Sequence, residues 1–463
     1  MQNHRIDPRF VSNLQAVLPV DAVLTEPADC LPYGCDNSRR MVAPDVVVFP
    51  TSHQQIKEII ALCNQHKVPL LARGRATATT GATVPVHGGV VVSFERMNQI
   101  IAIDPDNRVA VVEPGVINQD LQDALKEYGF FWPPDPTSAA YCTIGGNVSC
   151  NSAGPRAVKY GTPRENIFGI KAVAGDGSDI NAGVYTSKGV VGYDLTRLIA
   201  GSEGTLAVMT EITLKLTPLQ QEDRVIQAIY STMEAAANAV AQIMAQPETP
   251  CALEFIDANA IEMIRSYSDV DLPHNAGAML MIEVDANEEH IQNALDQVSA
   301  AAKVNGLLKL EVAETDEQAQ ALWRVRKALS PALKKVAPKK INEDVVVPVS
   351  SIPKLITGLN ALAEEYLIKI VNFGHAGNGN IHVNLLINPD DKNEMDRAEQ
   401  CLDKVFDLVL GLKGTISGEH GIGIEKKKFV PREIEQETLD MMKKIKAVFD
   451  PLGILNPGKL FPE

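Results

Sequence analysis

Apolar and polar residues change period several times along the chain, and each change predicts an element. Residues 45–49 are a short apolar run closed by Pro50, which reads as a buried strand. Ser52 with Gln55 then offers a capping box, and Ile56, Ile59, Ile60 and Cys63 recur at helical spacing. Residues 68–71 return as a strand that runs into Gly74. A second copy follows: a strand at 109–112, then Leu121, Ala124, Leu125 and Tyr128 striping a helix closed by Gly129. Strand-like runs at 167–173 and 205–216 complete an α+β or α/β region from about 45 to 218.

Pro218 begins a shift. Residues 221–340 become Ala-rich and helical, as at 233–244 and 291–302, alternating with strands at 278–284 and 307–312. Residues 366–372 read as a strand, 376–380 as a turn and 381–387 as a returning strand. An amphipathic helix at 437–449 is stopped by Asp450, Pro451 and Gly453. The pattern predicts four stretches: an N-terminal segment at 1–44 packing on the first domain, a first domain at 45–218, a second at 219–412, and a returning C-terminal segment at 413–463.

Composition narrows the function. The length of 463 residues fits two or three domains. A net charge of −15 argues against nucleic acid, whose partners need a basic footprint. No uncharged apolar run reaches the ~18 residues of a membrane span, and residues 1–9 lack an apolar signal core. Seven scattered cysteines without a Cys-x-x-Cys pair suggest reduced thiols in a cytoplasm.

The chemistry lies in glycine-rich tracts. Arg73-Gly74-Arg75-Ala76-Thr77, with Thr80 and Gly81, follows a strand. Small residues there let backbone N–H groups approach an anion, a diphosphate above all. The alternative is a tight turn with no ligand. Pro136-Thr137-Ser138, Thr143-Ile144-Gly145-Gly146-Asn147, Asn151-Ser152-Ala153-Gly154 and Gly201-Ser202-Glu203-Gly204-Thr205 repeat the theme, as if backbone lay flat against a large planar cofactor.

A second group surrounds three histidines. His382 and Asn384 share one face of the returning strand, and His375 lies across the turn. Glu419 and His420 sit in a later glycine-rich loop. Two imidazoles and a carboxylate suit a divalent metal. The plain alternative is two hydrogen-bonded histidines and an exposed glutamate. Trp323-Arg324-Val325-Arg326 offers a guanidinium for a carboxylate, or simply a solvated helix face.

In this order the motifs resemble the vanillyl-alcohol-oxidase flavoprotein superfamily, and the C-terminal ones resemble its FAD-linked D-2-hydroxy-acid dehydrogenase branch. The resemblance implies a two-lobed α+β fold. One lobe is an FAD-binding α+β domain, and the other is an α+β substrate (cap) domain with an antiparallel sheet. It implies that Arg73, Gly74, Arg75, Ala76, Thr77, Thr80 and Gly81 cradle the FAD diphosphate. Pro136, Thr137, Gly145, Gly146, Asn147, Ser152 and Gly154 would line the cofactor. Glu203 and Gly204 would lie near its adenine or ribose end, and Asn456 near the flavin ring. Ala76 stands where the family usually has glycine, and it cannot freely take φ > 0. Thr77 stands where members with covalent flavin have histidine, so non-covalent FAD is expected.

By the same resemblance His375, His382 and Glu419 bind the metal, zinc or manganese. His420 is the catalytic base and also contacts substrate, Asn384 holds substrate, and Arg326 clamps its carboxylate. In 2-hydroxyglutarate-specific members a Thr and a Lys hold a second carboxylate. This chain has Ser330 and, in the nearest alignment, Asn342, with Lys340 two residues away. That leans the substrate toward D-lactate, with D-2-hydroxyglutarate or glycolate as alternatives. A flavin-free metal-dependent hydrolase is the alternative of another class. Quinone, a cytochrome or an electron-transfer flavoprotein are the candidate electron acceptors. A homodimer and a peripheral contact with the inner face of the membrane are both compatible with the sequence.

Overall fold

A computed structural model describes residues 6–267 and 272–462. The chain divides into two compact units. The first contains Met1–Ala153, Gly161–Leu219 and Glu419–Glu463, and the second contains Gly154–Tyr160 and Gln220–Gly418.

In the first unit, Val46–Val48 and Leu70–Arg73 both pair parallel with Val90–Ser93. The helix His53–His66 crosses from the first of these strands to the second, which lie on either side of Val90–Ser93. It buries Ile56, Ile59, Ile60 and Cys63, the stripe that the spacing predicted. Its N-terminus departs from the expected capping box. Ser52 Oγ accepts from the Gln55 N–H at 3.3 Å, but the Gln55 side chain reaches back to Thr51 N–H, one residue early. A five-stranded sheet runs in the order Ile100–Asp104, Val109–Val112, Ala207–Lys215, Ile167–Ala174, Asp179–Gly183, antiparallel throughout.

The second unit is built on a seven-stranded antiparallel sheet. Its order is Leu307–Val312, Glu222–Tyr230, Ala278–Ala286, Ala252–Asp257, Lys369–His375, Asn380–Ile387, Lys339–Val346. Helices Ala258–Tyr267 and Asp316–Val336 cover one face, where Leu329 and Leu333 join Ile229, Ile256, Met281, Val371 and Phe373 in one core. Tyr230, of opposite parity to Ile229, donates to the Ala302 carbonyl at 2.8 Å, so helix Ile291–Ala302 lies on the other face.

Two further features differ from the sequence expectation. The strand expected at 366–372 runs over Lys369–His375, because helix Ile352–Tyr366 continues to a left-handed cap at Leu367. Apolar Ile368 and Ile370 fit either period, so the pattern could not fix that boundary. The short segment Gly154–Tyr160 belongs with the second unit. Tyr160 Oη donates to Asp285 at 2.6 Å, Lys159 pairs with the same carboxylate, and Arg156 lies 3.4 Å from Glu283. Buried acids on the Ala278–Ala286 strand thus capture a basic turn.

Candidate active site

Antiparallel register decides which side chains meet. Glu254 stands opposite His375, Phe373 opposite His382, and His382 opposite Asp344. These residues fall on one face of four neighbouring strands. His375 and His382 are buried, their ring centroids are 5.2 Å apart, and they offer nitrogens within 4.8 Å of each other. Asn384 shares the face, one strand repeat along. Its amide donates to the Val371 and His382 carbonyls, and its oxygen accepts from Asn342 Nδ2 at 2.6 Å. Lys340 lies opposite Leu386, two residues further from the histidines than Asn342.

Glu254 is the residue that sequence reading missed. It is 1% exposed, within a strand whose every residue is buried. One carboxylate oxygen meets His375 Nδ1 at 2.5 Å. The other meets Arg326 Nε at 2.7 Å and Nη2 at 2.6 Å. Burial pushes the Glu254 carboxyl up, but His375 and Arg326 beside it outweigh this and hold it down to about 2. Arg326 also lies 4.8 Å over the Phe373 ring, which fixes the plane of its guanidinium. A signal existed: an acid inside the apolar run 251–256 must find a partner or stay neutral. The Ser330 side chain lies outside the described residues.

This donor set fits a metal. A carboxylate on Nδ1 fixes the ring orientation and turns Nε2 to the ligand side, as the outer partners of metal-bound histidines do. Asp344 extends the arrangement. It is fully buried, accepts from Ser417 Oγ at 3.2 Å and from the Gly418 N–H at 2.8 Å, and so fixes the residue before Glu419.

Glu419 and His420 open the last segment of the first unit, where a different set of residues holds their loop. Ser152 Oγ donates to the Glu419 carbonyl at 3.1 Å, and Thr80 Oγ1 to the His420 carbonyl at 3.3 Å. Glu203 accepts from the Ile422 and Gly423 N–H groups at 2.6 and 2.8 Å. Its carboxylate is engaged by this loop, and burial pushes it up despite those two donors. Gly421, at φ +82°, leaves no room for a side chain beside Glu203. Asn456 is tied down in the same way. Its amide donates to the carbonyls of Ala82 at 3.0 Å and Glu203 at 2.7 Å.

The 73–81 loop fits an anion by its backbone more than by its charge. Arg73 is buried and donates to the Cys35 and Pro32 carbonyls at 2.7 and 3.2 Å, so its guanidinium braces the N-terminal segment. Arg75 is half exposed and 4.0 Å from Glu95. Asn37 binds the Thr77 and Ala78 carbonyls. Among the described residues no N–H of 75–79 donates within the protein, and Thr79 Oγ1 is buried without a partner. Donors without internal acceptors are what a diphosphate cradle requires. Ala76 takes φ +52° in spite of its side chain. Gly145 packs on Pro114, the Gly146 N–H caps onto Thr143 at 3.1 Å, and Asn147 bonds Asn118 and Cys142. Pro136 opens a turn by accepting from the Ala139 N–H, next to Thr137, while Gly204, at φ +70°, lies against the Ala72 side chain. Gly154 falls in the second unit.

Residues 219–460 match the family described as FAD linked oxidases, C-terminal domain, and residues 44–183 match an FAD binding domain. The chain belongs to the FAD-linked oxidase family. It is an FAD-linked oxidoreductase, which removes the flavin-free hydrolase reading. Glycolate oxidase subunit GlcD of Bacillus subtilis is 40% identical, covering 90% of this chain and 89% of its own. D-lactate dehydrogenase of Archaeoglobus fulgidus is 35% identical, covering 92% and 95%. D-2-hydroxyglutarate dehydrogenase of Stutzerimonas stutzeri is 32% identical, covering 98% and 99%. Among solved structures, p-cresol methylhydroxylase with substrate bound has a TM-score of 0.79 at 17% identity, covering 98% of this chain and 96% of that one. Alkyldihydroxyacetonephosphate synthase has a TM-score of 0.77 at 17% identity, covering 97% and 84%. At that identity these oxidase-fold neighbours speak to the fold alone.

Proposed function

We propose that this FAD-linked oxidase oxidises a short D-2-hydroxy acid, D-lactate before others, to the 2-oxo acid. It would use non-covalent FAD and a divalent metal, zinc or manganese. The observation that carries the reading is the sheet face where two imidazoles, a carboxylate and a guanidinium converge. A guanidinium recognises a carboxylate, and paired imidazoles recognise a metal, so the face is shaped for an oxygen-rich anion next to a cation.

Arg326 would hold the substrate carboxylate. His375 and His382 would hold the metal, with Glu419 as third ligand: Asp344 fixes Gly418, and one peptide bond leads from Gly418 to Glu419. His420 would accept the hydroxyl proton. Thr80, Ser152 and Glu203 would keep that base in place by holding its loop. The 73–81 backbone would seat the FAD diphosphate. When bound, FAD supplies the hydride acceptor, and the metal lowers the pKa of a hydroxyl near it.

Chain length is argued from one pair. Asn342, not a lysine, stands across from Asn384, and Lys340 lies two residues further along the same strand, so a cation for a second carboxylate is not placed directly beside Asn384. Glycolate shares this short-acid chemistry, and the name of the 40%-identical relative favours it as a second reading. A relative named D-lactate dehydrogenase [cytochrome] favours a cytochrome as the electron acceptor, with quinone or an electron-transfer flavoprotein as alternatives. Among the described residues no helix is long and apolar enough to cross a membrane. Any membrane contact would be peripheral, and a cytoplasmic location and a homodimer complete the proposal.

The test is a substrate panel with an artificial electron acceptor. D-lactate should give the highest kcat/KM, glycolate less, and L-lactate none. A preference for D-2-hydroxyglutarate would overturn the short-acid reading.

A further inference from the structure

The Glu254 carboxylate divides its two oxygens between two partners of different function: Oε1 to His375 Nδ1, and Oε2 to Arg326 Nε and Nη2. The three side chains come from separate elements, the strands Ala252–Asp257 and Lys369–His375 and the helix Asp316–Val336. The two strands pair directly, with Glu254 opposite His375, so backbone register sets the first contact. The second contact ties the covering helix to the sheet at the one turn that carries Arg326.

We propose that Glu254 is a positioning residue that couples the metal imidazole to the carboxylate clamp. It fixes which nitrogen of His375 faces the metal and the direction in which Arg326 presents its remaining donors. This rests on the reading of His375 as a metal ligand and Arg326 as the substrate clamp. Two geometric facts make the coupling specific. A carboxylate accepts at both oxygens, whereas an amide of the same shape accepts at one and donates at the other. A glutamine that accepts from Arg326 could only donate to His375 Nδ1, which would move the imidazole proton to Nε2, the nitrogen left for the metal. An aspartate keeps the charge but is one methylene shorter, and it cannot reach both partners from the same backbone position.

Loss of an outer partner of a metal-bound histidine typically costs about 10–100-fold in metal affinity. Metal affinity and substrate affinity should therefore fall together when Glu254 is changed, although Glu254 contacts neither metal nor substrate in this reading. A purely structural role would lower the melting temperature and leave both affinities alone.

The experiment uses the metal-stripped, FAD-loaded full chain and three variants: E254Q, E254D and H375A. Zinc and manganese are titrated by calorimetry, and oxalate binding is read from the change in flavin absorbance. Melting temperature and flavin content report folding. The expected result is one metal per chain in the wild type, loss of that site in H375A, and metal binding about 10–100-fold weaker in E254Q. Oxalate binding should also weaken in E254Q, while E254D should lose one affinity more than the other. If H375A abolishes binding but E254Q binds metal and oxalate like the wild type, the coupling is wrong and the metal reading stands. If the wild type and H375A bind metal equally, the metal reading fails and the coupling with it. Should E254Q fail to fold, E254D decides: unchanged metal and oxalate binding in that variant overturns the inference.

Discussion

His420 shows how little of a side chain's role its own neighbourhood declares. Its loop is held by backbone contacts from Thr80, Ser152 and Glu203, so the imidazole can be removed without disturbing the anchors. His420→Ala should keep bound yellow flavin and the wild-type melting temperature. Turnover should fall by roughly 10²–10⁴, the usual worth of a positioned base. Near-normal turnover would reject the base assignment. Arg326 differs, because its partner is buried. Arg326→Ala leaves the buried Glu254 carboxylate without its guanidinium partner, and should raise KM by about tenfold or more while also lowering stability, since breaking a buried ion pair costs several kcal/mol. Steady-state kinetics and urea unfolding on the same preparation check both. At this scale the sequence showed residue types but not their partners. His375, His382 and Arg326 stood out by pattern. Glu254 did not, because only strand register brings an acid at 254 opposite a histidine 121 residues later. Arg73, Glu203 and Asn456 stood out as cofactor residues, and their side chains are engaged by the protein itself.

Elements add constraints that no residue carries alone. The glycine-rich loop after strand Leu70–Arg73 holds Ala76 at φ +52°, a region that costs an L-residue roughly 1–2 kcal/mol. Ala76→Gly should relieve that strain against a smaller gain in unfolded-chain entropy, stabilising the protein by up to about 1 kcal/mol. Denaturant unfolding measures it, and a loss of stability would contradict the loop geometry. Asp257 ends the central strand Ala252–Asp257. It accepts from the Ala260 N–H at 2.7 Å and from the Asn372 N–H and side chain at 2.8 and 2.9 Å. Burial, opposed by these donors, still pushes its carboxyl up to about 6 from an ordinary 3.8. The native state therefore holds the proton more tightly than the unfolded chain. The stabilisation is fully present on the acid side and is lost as pH rises through about 6. The loss is on the order of 3 kcal/mol. Urea unfolding between about pH 4 and pH 7 should show this slope, and Asp257→Asn should flatten it. Helical and strand periods were legible at some elements with one buried face, as at Ile56, Ile59, Ile60 and Cys63, but the helix Lys392–Gly411, which buries Ala398, Cys401, Val405, Phe406 and Val409, was not read. They were not legible at 366–372, where apolar residues suit both periods. Nor was the capture of Gly154–Tyr160 by Asp285 legible, because it depends on a contact 125 residues away.

Across the whole molecule, a net charge of −15 would repel an anionic substrate. Beyond about 8 Å, physiological salt screens that repulsion, so in the proposed site the attraction would be local, from Arg326 and a bound cation. Raising salt should therefore change KM only slightly, whereas chelator treatment should abolish turnover until zinc or manganese is restored. Membership of the FAD-linked oxidase family accounts for the oxidase fold, and the converging sheet face is the site we propose for a small hydroxy acid. The most direct measurement is anaerobic mixing of the FAD- and metal-loaded protein with D-lactate. The flavin absorbance should bleach, with one pyruvate formed per flavin, and L-lactate should leave it oxidised. A flavin that stays oxidised with D-lactate, glycolate and D-2-hydroxyglutarate alike would contradict the proposed function.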